Sequence, residues 1–234
     1  MTGPLALVGG AEFQPGNEEQ DRILVEAAAG RPAHVVCAAV RERPDRAAAS
    51  ARRWFATLGV DMTELRVRSR TDGSLPDTVH AARRAGLVYI AGGDPGRTVR
   101  LLAGSPVWEA IVAAWHDGAA VAGSSAGAMA LCRWTLVRDR WPDRQTRRPV
   151  EALGLVPGSA VLPHFDTFGQ AWIESAQLAL GPDATLIGVD ERTAAVWSDG
   201  GWTAMGPGRV TLITGEHRDQ CSSGEVAPGL PHPV

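Results

Sequence analysis

The 234-residue chain contains no lysine: all 23 of its basic residues are arginine, against 26 acidic ones. The net charge of -3 argues against a generic nucleic-acid binder, whose basic footprint would dominate the surface. With 27 glycines and 16 prolines, the arginine preference reads as a bias of the whole composition. Cysteine is scarce. Cys37, Cys132 and Cys221 lie far apart and in no zinc-ligand spacing, which points to free thiols packed in a core. Long apolar runs are missing too, and no window approaches the roughly 20 apolar residues needed to cross a bilayer. The opening MTGPLALVGGAEF lacks the basic start and extended apolar run of a secretory signal. The expectation is a cytoplasmic protein with no membrane and no nucleic-acid partner.

What is present is an ordinary apolar fraction of 44%, in a chain long enough to bury a core without disulfide or metal staples. The first half alternates short apolar runs with helical periods. LALV (Leu5 to Val8), HVVCAAV (His34 to Val40), a weaker LRV around Leu65, LVYIAGG (Leu87 to Gly93) and AAVAG (Ala119 to Gly123) read as strands. Between them, Glu18 to Ala29, Asp45 to Leu58, Leu75 to Ala85 and a segment from Pro106 to about Asp117 read as helices. Short strands separated by longer helices indicate βαβ units: an α/β fold with a mostly parallel sheet and helices on both faces.

After Leu131 the pattern changes. Arg133 to Glu151 is dense in arginine, has no clean period, and reads as a long loop or excursion. A helix over AWIESAQLAL and three short strands around TLIGV, AAVW and VTLIT follow, with GWTAMGPG as a turn in a C-terminal antiparallel meander. Residues 221–234 are Pro/Gly-rich and read as a flexible tail on a single domain spanning 1–220.

The most pointed stretch is AVAGSSAGAMALC, in which Gly123-Ser124-Ser125-Ala126-Gly127 fits G-x-S-x-G with Ser125 central. Two readings stand: a tightly packed strand-to-helix turn without chemistry, or a nucleophile held at a sharp bend. Under the second, the N–H of Ala126 is the natural first oxyanion donor, and the Gly92-Gly93-Asp94 turn offers another through Gly93. Both turns fall at carboxyl ends of strands, where open parallel sheets bind ligands. A serine needs a base, and His164 in VLPHFD occupies the same kind of strand-end loop. The imidazole in turn needs a carboxylate. Asp190 and Glu191 end the strand TLIGV, and Asp166 competes locally.

These residues resemble the dipeptidase E and cyanophycinase family of serine peptidases. GSSAGA is similar to that family's nucleophile motif, and VYIAGGDPGRTVRLL to its strand, Gly-Gly-Asp turn and helix. LGLVPGSAVLPHFD resembles its histidine segment and LIGVDERTAAVW its G-I-D-E-x-T-A strand, while LALVGGAEF matches its opening strand. The resemblance runs in order from Leu5 to Thr214. It implies a class I glutamine-amidotransferase-like fold with Ser125 as nucleophile, His164 as base, Glu191 as orienting carboxylate, and Gly93 and Ala126 as the oxyanion hole. The order Ser, His, acid differs from that of α/β-hydrolases. The chemistry requires no metal or organic cofactor.

Family members act on peptides with an N-terminal aspartate or on β-linked aspartyl-arginine units. HFDTFGQAWIES after the histidine departs from cyanophycinases, and Pro163 stands where they carry Gln, so a short-peptide dipeptidase is favoured. Asp94, Ser124, Asp166, Arg138 and Arg140 are candidates to bind substrate. The segment containing Arg138, Arg140, Arg144, Arg147 and Arg148 could supply a carboxylate clamp, since guanidinium pairs with carboxylate bidentately. The alternatives are an ester or amide hydrolase of a small metabolite and a non-catalytic binding module.

Overall fold

The computed structural model describes residues 2–143 and 145–234. In the first half, β1 (Leu5–Val8), α1 (Glu18–Ala28), β2 (Ala33–Val36), α2 (Pro44–Thr57) and β3 (Met62–Glu64) are followed by α3 (Pro76–Arg84), β4 (Leu87–Ile90), α4 (Pro95–Leu102), α5 (Pro106–His116) and β5 (Ala120–Ser124). The strands lie parallel in the order β1-β5-β4-β2-β3. Their continuous apolar runs have a direct cause: both faces of the sheet are covered. Leu5, Leu7, Val88, Ile90 and Val121 face one core, shared with Trp108, Ile111 and Trp115 of α5. Ala6, Val8, Leu87, Tyr89 and Ala122 face the other, with Leu24 of α1 and Trp54 and Phe55 of α2. Complete burial of a large apolar side chain such as Ile111 contributes about 1.5–3 kcal/mol. Helix starts follow local chemistry. Asp94 accepts a hydrogen bond from the Arg97 N–H (2.9 Å) and Ser105 from the Trp108 N–H (3.3 Å), each cap followed by a proline in the first turn.

The second half contains α6 (Ala126–Leu131), β6 (Cys132–Arg138), β7 (Arg147–Glu151), β8 (Val156–Leu162), α7 (Ile173–Leu180), β9 (Thr185–Val189), β10 (Ala194–Ser198), β11 (Gly201–Met205), β12 (Val210–Thr214) and β13 (His217–Cys221). A second sheet runs β13-β12-β9-β8-β6-β7, with β8 parallel to both β6 and β9. Its residues Leu136, Val161, Leu186 and Ile187 share the core under the first sheet with α5.

Four expectations from the sequence are corrected by the structure. The segment expected as a loop from Arg133 to Glu151 is largely the hairpin of β6 and β7, paired from Trp134↔Glu151 to Arg138↔Arg147. β7 is a half-exposed edge strand, so its composition is polar and carries no apolar run. GWTAM is not a turn but strand β11, which buries Trp202 and Ala204 in alternation; glycine content masked that period of two. The antiparallel C-terminal strands are also divided between sheets. β10 and β11 extend the first sheet beside β1, whereas β12 and β13 extend the second beside β9. Residues 221–234, which composition reads as a flexible tail, pack instead. Ala227 and Leu230 are buried, the Trp202 indole N–H donates to the Pro231 carbonyl (2.9 Å), and the Val234 N–H to that of Leu155 (2.9 Å).

Candidate active site

The carboxyl end of β1 organises the site through its backbone. The Val8 carbonyl accepts from the Ser125 N–H (2.9 Å), the Gly9 carbonyl from the His164 N–H (2.7 Å), and the Gly10 carbonyl from the Arg192 N–H (2.9 Å). Three segments distant in sequence are thereby set against one strand end. Gly10 has φ +130, and a Cβ there would stand 2.3 Å from Cε1 of His164. The glycine pair after LALV makes room for the imidazole.

Ser125 occupies the sharp turn between β5 and α6 with φ 49 and ψ -108, a strained backbone for a non-glycine residue. The small neighbours have a steric cause: a Cβ on Gly127 would lie 2.2 Å from the Ile90 carbonyl oxygen. Ser125 Oγ lies 3.1 Å from His164 Nε2, and His164 Nδ1 lies 2.7 Å from Glu191 Oε1. His164 also has positive φ (49), and its ring stacks on Phe168 at 4.9 Å between centroids. The acidic alternatives are turned elsewhere. Asp190 accepts from the Arg209 N–H (2.8 Å), and Asp166 accepts from the Glu191 N–H (3.0 Å). Burial raises the Asp190 carboxyl above the usual range.

Ser125, Gly93 and Ala126 line a cavity of about 820 Å³. Ala126 opens α6, where first-turn amides have no intrahelical acceptor. Among the described residues, five arginines line the cavity (Arg41, Arg100, Arg138, Arg147 and Arg148) against one carboxylate, Asp94, which pairs with Arg41. Arg138 and Arg147 are directly opposite across the hairpin, a placement of like charges that costs stability unless an anion offsets it. Burial, and then Arg138, push the Arg147 guanidinium below its ordinary value. Arg147 also sits 3.8 Å over the ring of Trp172.

Of the expected substrate-binding residues, Arg138 and Asp94 line the cavity, and Asp94 also caps α4. The other three stand apart from its lining. Arg140 is exposed beside Asp139, Asp166 holds the Glu191 backbone, and Ser124 is buried with its hydroxyl on Glu12. Arg147 and Arg148 of the arginine segment line the cavity, and Arg144 lies outside the described residues. Arg41, Arg100 and Trp172 were not expected from the sequence: they come from three separate segments, and although Arg100 and Trp172 fall inside quoted stretches, nothing local to them points into the cavity. Glu12 was not expected either, quoted only within the opening strand motif. Cys37 and Cys132 are buried, which raises their thiols to about 12, and Cys221 is also a buried free thiol.

A serine, an imidazole and a carboxylate in hydrogen-bonded series at the strand ends of an α/β sandwich describe the class of serine hydrolases that work through an acyl-enzyme. The sequence matches Peptidase family S51 over residues 5–205, and the chain belongs to that family of serine peptidases. It is 27% identical to a cyanophycinase of Nostoc sp. over 214 residues, covering 88% of this chain and 72% of that protein. It is 28% identical to a cyanophycinase of Geminocystis herdmanii over 179 residues, covering 74% of this chain and 66% of that one. Among solved structures, a peptidase from an acI-B1 Actinobacterium superposes with a TM-score of 0.84 at 30% identity, over 97% of both chains. A putative Peptidase E protein from Listeria monocytogenes shares the fold, with a TM-score of 0.62 at 15% identity over 89% of this chain and 100% of that one.

Proposed function

We propose that this chain is a dipeptidase E-like exopeptidase that cleaves short peptides through an acyl-enzyme on Ser125, with a preference for acidic substrates such as Asp-Xaa. The observation that carries the reading is the continuous series from Ser125 Oγ through His164 (3.1 Å) to Glu191 (2.7 Å), opening on an arginine-lined cavity. His164 takes the proton of Ser125 as the hydroxyl attacks the peptide carbonyl. Glu191 holds the imidazole so that Nε2 faces the serine and stabilises the imidazolium that forms. The amides of Gly93 and Ala126 receive the oxyanion. His164 then protonates the leaving amine, and water releases the acyl group by the same base.

Cavity charge supports the choice between the two activities known in the family. A substrate carrying arginine would bring a further guanidinium toward five others, whereas a carboxylate would be drawn in. The reading therefore favours acidic dipeptides over the β-aspartyl-arginine units of cyanophycinases. Incubation with a fluorophosphonate probe and location of the adduct by mass spectrometry tests the nucleophile, with Ser125→Ala as control. Adduct confined to Ser125, followed by turnover of Asp-Xaa in a dipeptide library, is the expected result. Labelling with turnover of esters alone would move the assignment to a small-metabolite hydrolase. A folded protein that takes no label would leave a binding module on this scaffold.

A further inference from the structure

We infer that Glu12 is a positioning residue for the reaction at Ser125: its carboxylate is a strut that sets the Gly92-Gly93 turn at a fixed distance from the Ser124-Ser125 turn. The inference rests on the proposed role of Ser125 and concerns what holds the two halves of its oxyanion hole in register. Glu12 Oε1 accepts from the Gly92 N–H at 2.9 Å, and Glu12 Oε2 accepts from the Ser124 hydroxyl at 2.9 Å. Gly92 immediately precedes Gly93, and Ser124 immediately precedes Ser125. One carboxylate thus spans the ends of β4 and β5, across separations of 80 and 112 residues. A Cβ on Gly92 would stand 3.0 Å from Glu12 Oε1 and 3.4 Å from the Ser125 Cβ, so the two turns meet closely where the carboxylate sits.

The segment carrying Glu12 is built to hold it there. Ala11 and Phe13, on either side, both have left-handed φ, 55 and 60. Left-handed backbone at two non-glycine residues is strained and persists only where surrounding contacts impose it. Those contacts are present. The Ala11 carbonyl accepts from the side chains of Asn17 (2.8 Å) and Gln14 (2.9 Å), and the Phe13 ring packs on Tyr89 at 5.0 Å and Phe55 at 6.1 Å between centroids. A surface glutamate would need none of this. Backbone donors raise reaction rates only when they stand at the position the oxyanion will occupy, so a shift of one turn against the other costs rate before it costs binding.

Glutamine and alanine separate the strut from its charge. In Glu12→Gln, the amide oxygen can still accept from Gly92, and the amide nitrogen can donate to Ser124 Oγ, which has lone pairs to receive it. In Glu12→Ala both ends are released. The measurement is the kinetics of fluorophosphonate labelling at Ser125, resolved into maximal rate and half-saturating concentration, alongside thermal unfolding of each variant. Expected are a 30- to 100-fold fall in maximal rate for Glu12→Ala with half-saturation within 3-fold of wild type, and recovery to within 3-fold in Glu12→Gln. Should Glu12→Ala fail to fold, the same Glu12→Gln result combined with a 3- to 10-fold loss in Ser124→Ala supports the strut. Labelling of Glu12→Ala at the wild-type rate overturns the inference and leaves the role of Ser125 intact. Equal loss in Glu12→Gln and Glu12→Ala overturns the strut in favour of an electrostatic role for the charge. Absence of label on the wild-type protein overturns the proposed nucleophile and this inference with it.

Discussion

The two walls of the cavity are built by different means. At the strand ends, Ser125, His164 and the Glu191 segment are fixed by backbone hydrogen bonds to Val8, Gly9 and Gly10 and by one carboxylate beneath the turns. The opposite wall is the hairpin of β6 and β7, where arginines stand on an edge strand and its partner, with ion pairs such as Arg140–Asp139 on the exposed rim. Backbone held in a sheet moves little and is insensitive to salt, while exposed guanidinium groups are mobile and screened. The first wall suits bond making, which needs placement to a fraction of an ångström. The second suits charge selection, which needs only a field.

Breaking the first wall has the largest expected effect. Glu191→Gln keeps the shape but leaves the imidazole without its orienting charge, and kcat falls by about 10²–10⁴-fold with KM little changed. Asp190→Asn serves as comparison and leaves kcat within about 3-fold, because Asp190 accepts from the Arg209 backbone and not from His164. Steady-state kinetics on the same acidic dipeptide read both.

A stability effect lies deeper behind the same wall. Asp21 is buried, accepts from the Trp54 indole N–H at 2.7 Å, and is raised to about 7, chiefly by burial, with Glu18 and Glu12 adding to the shift. The folded state therefore holds a proton that the unfolded chain releases near 3.8, the ordinary value for an aspartate. Between those two values stability falls as pH rises, since the native state binds more protons there, by on the order of 2–4 kcal/mol in all. Above about 7 the fall levels off. Thermal unfolding from pH 4 to 8 should show it, and Asp21→Asn, which can still accept from Trp54, should flatten the profile and raise Tm most at pH 8.

The smallest effect belongs to the hairpin. Arg138→Ala raises KM for an acidic dipeptide by about 10-fold, the scale of one charge-assisted hydrogen bond near solvent, and leaves kcat within about 3-fold. Raising salt to 0.5 M reproduces part of that rise in the wild-type protein. A fall in kcat instead of a rise in KM would place Arg138 on the reacting atoms and erase the distinction between the two walls.

Much of the strand-end wall was legible in the sequence. Ser125, His164 and Glu191 each follow a short apolar run, so local pattern marked all three as strand-end residues; that Ser125 ends a strand of the first sheet while His164 and Glu191 follow strands of the second is tertiary. Local pattern left Glu191, Asp190 and Asp166 open and only the family resemblance singled out Glu191, because strand-end carboxylates differ in the direction their side chains take, which residue type does not encode. The hairpin was opaque for another reason: at a half-exposed edge, polar residues satisfy a strand as well as apolar ones, and no periodicity survives. Glu12 lay in a recognised motif, yet nothing in GGAEF says what a glutamate there touches.

By itself, the sequence determined the alternation of strands and helices, the buried character of the central strands, and the chemistry available at their ends. Those follow from short-range rules, in which burial on two faces demands unbroken apolar runs and a tight turn demands small residues. Only the tertiary structure decided the geometry by which Glu191 meets the imidazole, that five arginines among the described residues share one cavity, and that Glu12 joins two turns about a hundred residues away. Each of these is a contact between segments whose separation along the chain carries no local signal, and their geometry exists only once the sheet has closed around them.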